Sequence, residues 1–244
     1  MSKIKKFLPL IIFLFGLVVL LLVYFFIIRS PKKTQTQEEP VKLLEVALID
    51  RPIASLTPTS DGHWLTLKIE KIELPAATMD YELLYELPDG RTQGVPGTIT
   101  LNGQTVVERK LLLGSESSGK FRYDEGVKEG TLTLRFRNDQ GKLIARFITK
   151  FALLGNTKEL FSVDNNFKAS LSKIFKGFFV VMETFGIPKE APGEVKFGPW
   201  GIFTSATNPL TGSLESSSYK IYRFNGSDWS AGSFDSGIFI GTSE

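Results

Sequence analysis

Hydrophobic and polar positions fall into three regimes along the chain. From Phe7 to Ile28 no residue carries a charge, a run of 22 residues. A helix of that length, at about 1.5 Å rise per residue, reaches about 33 Å and matches a hydrocarbon core of about 30 Å. Pro9 falls in the first turn, where a missing N–H costs little, and a membrane helix tolerates Gly16. Tyr24 sits near the far end, at headgroup level. The run closes on Tyr24-Phe25-Phe26-Ile27-Ile28-Arg29, too bulky for the small-residue cleavage site of a signal peptide. The pattern predicts an uncleaved transmembrane helix over 7–28, contacting the lipid bilayer, with residues 1–6 as a cytoplasmic tail.

Residues 29–42 carry two Pro and almost no apolar side chains, a composition that cannot bury enough surface to fold and predicts a flexible linker. From Leu43 short alternating runs begin, separated by Asp61-Gly62, Asp89-Gly90, Asn102-Gly103 and Asn138-Asp139-Gln140-Gly141, all turn signals. Asn102-Gly103 between Thr98–Leu101 and Gln104–Val107 reads as a type I′ hairpin. Thr131–Arg137 places Leu132, Leu134 and Phe136 on one face, and Leu143–Phe151 continues the alternation as the returning strand. The phase change from Ile69 to Ile72 predicts a bulge near Lys71. Runs near 44–49, 64–74, 80–87, 97–101, 104–113, 119–123, 131–137 and 143–151 give seven or eight strands in residues 43–153.

In size, strand spacing and final hairpin, residues 43–153 resemble the bacterial immunoglobulin-like or fibronectin III-like β-sandwich domains of membrane-anchored envelope proteins. The resemblance implies an antiparallel sandwich that serves as a spacer or binding module.

Beyond Leu154 the composition shifts: eleven of the twenty Phe and eleven Gly fall in residues 154–244, predicting a second β-rich unit. Gly177–Phe185 reads as a buried strand, Tyr219–Phe224 alternates before Asn225-Gly226, Gly237–Ile240 closes a sheet, and Phe197–Gly201 reads as a turn-rich stretch around Trp200. Phe167, Leu171, Ile174, Phe175 and Phe178 fit a helical stripe, while Phe167, Ala169 and Leu171 alternate as in a strand. Strand is the preferred reading near 166–177, with one short helix as the alternative. The predicted fold class is mainly β, with an N-terminal transmembrane helix, an immunoglobulin-like sandwich and a second β-rich unit.

Charge sharpens this picture. Residues 1–41 carry six Lys/Arg against two Glu, residues 42–153 fifteen of each sign, and residues 154–244 eight against nine. The positive excess sits beside the apolar run, so the folded part lacks the basic excess that binds phosphate, and nucleic acid is excluded as a partner. Positive residues flank both ends of the apolar run. The short N-terminal tail before a large C-terminal body is the layout of a signal anchor, predicting a cytoplasmic N-terminus and extracytoplasmic domains on a single-pass cell-membrane protein.

Without Cys, thiolate chemistry and thiolate-zinc sites are excluded. His63 is the one imidazole and reads as an exposed turn residue. No nucleophile elbow, zinc-binding His pair or P-loop occurs. Asp164-Asn165-Asn166 opens like a calcium loop but lacks its later ligands. No catalytic, cofactor or metal residues are expected, and the chain reads as a non-enzyme.

Candidate partner-surface residues are Arg135, Arg137, Arg146 and Lys150, which concentrate positive charge on the last hairpin, and Trp200, Tyr222 and Trp229, whose rings stack on sugars or anchor a protein. The expected function is a membrane-anchored binding or scaffolding module for an envelope protein or polysaccharide. The alternatives are a tethered polysaccharide hydrolase using paired carboxylates, or an accessory subunit of an envelope assembly or export complex.

Overall fold

The computed structural model describes residues 15–18, 43–215 and 218–243. The tail, the linker and most of the expected membrane segment lie outside the described residues; Phe15–Val18, inside that segment, are helical and exposed. Among the described residues no helix is long and apolar enough to cross a membrane.

From Leu43 onward the chain is one compact unit, mainly β and antiparallel throughout. Among the described residues one 3-10 turn, Leu48–Asp50, precedes the first strand. The strands of the first half are β1 (Ile53–Pro58), β2 (Trp64–Glu70), β3 (Thr78–Glu86), β4 (Thr92–Thr100), β5 (Val107–Leu112), β6 (Gly114–Ser117), β7 (Lys120–Tyr123), β8 (Glu129–Arg137) and β9 (Leu143–Gly155). Those of the second half are β10 (Glu159–Phe161), β11 (Lys168–Leu171), β12 (Phe178–Glu183), β13 (Val195–Thr204), β14 (Gly212–Leu214), β15 (Lys220–Phe224), β16 (Trp229–Ala231) and β17 (Gly237–Thr242).

Nine strands form one sheet in the order β16-β15-β17-β13-β12-β9-β8-β3-β4. Two three-stranded sheets, β1-β2-β5 and β10-β11-β14, and the hairpin β6-β7 complete the fold. One core joins Leu56, Leu65 and Leu67 to Leu83, Leu132, Leu134, Phe136 and Phe151; the other joins Leu160, Phe167 and Leu171 to Phe179, Ile202 and Phe239. β12 belongs to both. Val180 and Met182 enter the first core, Phe179 and Val181 the second. Successive side chains on a strand point to opposite faces, so the two cores lie on opposite faces of the sheet where it passes through β12. That accounts for the unbroken apolar run Phe178–Met182 in place of alternation. The expected boundary between residues 153 and 154 falls inside β9, which pairs with both β8 and β12.

Residues 168–171 are strand, the reading preferred over a short helix: Ala169 and Leu171 are buried while Ile174 of the alternative helical stripe is 66% exposed. Several other sequence expectations take a different form. Asn102-Gly103 does form a tight turn with positive φ at both residues, closed by the Gln104 N–H donating to Leu101 O. It joins β4 to β5, which lie in different sheets, so it is a crossover and not a hairpin. At Lys71 the phase changes because β2 ends and the residue takes φ 57°. Residues 44–49 are not a strand but a segment running into the 3-10 turn, and Ile53–Pro58, preceded by Pro52 and ending on Pro58, supplies the first strand instead. Residues 197–201 lie within β13, a continuous strand whose register shifts there, and not in a free turn.

Candidate functional site

The sheet forks between β9 and β12. Their pairing ends at Phe151 opposite Met182. Beyond it β12 follows β1, with the Ala54 N–H donating to Thr184 O at 3.0 Å. β9 continues back to Leu143, hydrogen-bonded to β8 along one side. On its other side, the Leu44 N–H donates to Ile144 O at 2.9 Å. The remaining edge borders an open groove of about 730 Å³.

Residues 44–47 form one wall, the Arg146–Ile148 stretch of β9 another, and Glu183 with Phe185 the third. Phe147 packs on Phe136 and Phe185, at centroid separations of 5.9 and 5.4 Å, and fixes the floor. Leu44 and Ile148 are 49% and 53% exposed. Arg51 is held by donating its Nε–H to Val46 O at 2.9 Å. Burial pushes the Glu183 carboxyl up from its usual range, with the Arg51 charge opposing and the Asp164 charge adding to the rise. The groove therefore offers backbone hydrogen-bonding edge, two apolar contacts, two guanidinium groups and the carboxylates Glu45 and Glu183.

Of the sequence-nominated residues only Arg146 lines this groove. Arg135 and Arg137 are engaged across strands, donating to Glu82 at 3.0 Å and Asp80 at 2.9 Å. Lys150 is exposed opposite Thr131. Trp200 is buried in the second core, its centroid 5.9 Å from Phe167. Tyr222 and Trp229 lie in the β15-β16 hairpin. Lys220 Nζ sits 5.6 Å over the Tyr222 ring, and Trp229 packs edgewise on Phe224 while donating Nε1–H to Lys189 O. The seven residues do not converge.

Sequence reasoning missed a second cluster. His63 stacks on Tyr123 at 4.1 Å, with Nδ1 and Nε2 each 3.3 Å from a carboxylate oxygen, of Asp61 and Glu125 respectively. Tyr123 runs parallel to Phe121 at 6.3 Å, and Phe121 meets the Trp64 ring edgewise at 5.6 Å. Only the Asp61-Gly62-His63-Trp64 turn was visible locally; its partners are about sixty residues away. The Asp164 carboxylate, the first position of the suggested calcium loop, accepts hydrogen bonds from Ser162 and Asn166. Among the described residues no group of three or more His, Asp or Glu converges as metal ligands do.

Comparison with protein-family models, curated proteins and solved structures found no match to this chain.

Proposed function

We propose that this chain is a single-pass, membrane-anchored binding module that holds its β-sandwich unit outside the cytoplasm and captures an extended segment of an envelope partner along the part of the β9 edge that is unpaired among the described residues. The observation that carries this reading is the fork: a strand edge beside an apolar-walled groove is the geometry of strand addition, in which main-chain hydrogen bonds give affinity and alternate side chains fill pockets. The uncharged run 7–28 and the composition of 29–42 support the anchor and tether. The strand arrangement supports the immunoglobulin-like or fibronectin III-like resemblance. The first, second and fifth strands (β1-β2-β5) face β4-β3-β8-β9, the division such sandwiches use, with β6-β7 inserted between the fifth strand and β8.

A photocrosslinking residue in place of Ile148, in intact membranes, tests the reading. It predicts a discrete adduct with one partner, and loss of that adduct when Leu44→Asp is added. Crosslinking to lipid alone, or an adduct unaffected by Leu44→Asp, contradicts it.

One observation favours a second reading, a tethered polysaccharide hydrolase. Glu45 and Glu183 line the same groove, and burial keeps Glu183 protonated to higher pH, as a general acid requires. That reading predicts release of reducing ends from envelope polysaccharide, abolished by Glu183→Gln; absence of release by the unmodified chain removes it.

A further inference from the structure

The hairpin β6-β7 is the most solvent-exposed element of the described fold, and all four residues of β7 are exposed. Phe121 and Tyr123, spaced by two, point to one face, 45% and 39% exposed. Lys120 and Arg122 alternate with them and point to the opposite face. Glu116 pairs directly with Phe121, so its carboxylate shares the aromatic face. Trp64 at the start of β2 and His63 in the turn before it back the rings. Asp61 and Glu125 flank His63. Two exposed rings are thus edged by carboxylates while the nearby cations lie behind.

We propose that this aromatic shelf binds a lysine- or arginine-bearing segment of a partner polypeptide, with the cationic head over the Tyr123 and Phe121 rings and between the flanking carboxylates. The ring faces attract a cation through their quadrupole, the apolar stem of the side chain covers the rings, and the carboxylates complete the charge. The reading is independent of the β9 groove, which lies on the other strand system.

The test is fluorescence anisotropy of a dye-labelled, end-capped tetralysine peptide with the full chain in detergent micelles. Because residues 42–244 carry 23 Lys/Arg against 24 Asp/Glu, general electrostatic attraction does little to favour this probe. Saturable binding is expected at about pH 7.5, weakened about tenfold by Tyr123→Ala and about threefold by Glu125→Gln, the latter at a residue whose side chain is 82% exposed. No saturable binding, or binding indifferent to Tyr123→Ala in a folded variant, overturns the proposal. Tyr123-dependent binding of an uncharged chito-oligosaccharide in place of tetralysine also overturns it and assigns the shelf to sugar.

Discussion

Asp80 and Glu183 are both partly buried carboxylates, and their surroundings drive them in opposite directions. Burial pushes Asp80 up, but hydrogen bonds from Arg137 and Thr98 and the charges of Arg137 and Arg135 outweigh it and hold the carboxyl below its usual range. Its stabilising contribution is present above the ordinary aspartate value and disappears as pH falls through the lower folded one. Asp80→Asn is expected to cost about 1 kcal/mol at neutral pH, with the difference from the unmodified chain closing on acidification, measured by urea unfolding across pH. Glu183 has the reverse sign. Its raised value means the folded state binds the proton more tightly, so stability falls as pH rises through the carboxylate range. Glu183→Gln is expected to raise stability at neutral pH and to match the unmodified chain in acid. Such pairings were not legible in the sequence. Arg135 and Arg137 read as free cations because their partners on β3 are more than fifty residues away, and Trp200 read as a surface ring because a short Gly-Pro context hides the core around it.

At the scale of the element, one-sided strands were readable and two-sided ones only half so. In β8 the alternation Leu132, Leu134, Phe136 is the buried face, as the sequence indicated. The apolar run of β12 announced a buried strand, but no local signal shows that its faces belong to separate cores. Val180→Ala and Val181→Ala are each expected to destabilise by about 2 kcal/mol in denaturant unfolding, because each empties space in a different core. In β8, by contrast, the outward-facing Thr131→Ala should stay within about 0.5 kcal/mol. Turn chemistry was legible at Asn102-Gly103, yet whether a turn joins neighbours in one sheet or crosses between sheets is decided by packing and not by the turn residues. The same limit hid the fork: nothing in the β9 sequence marks where β12 departs.

For the whole molecule, the shared sheet makes the two cores interdependent. Phe151 and Leu153 of β9 pack in the first core together with Val180, Met182 and Phe185 from beyond the composition boundary. Residues 43–153 alone are therefore expected to lack dispersed amide signals by NMR, and 43–244 to unfold in one transition by calorimetry and circular dichroism alike. A folded 43–153 fragment would show that the first core closes without β12. The proposed function requires the uncharged run to keep this unit tethered on the outer side of the membrane. Protease added to cells with a sealed cytoplasmic membrane tests it most directly. The account predicts digestion of residues 43–244 and retention of a small N-terminal fragment in the membrane. Protection of the bulk of the chain, or a mature chain that begins after Ile28, would contradict it.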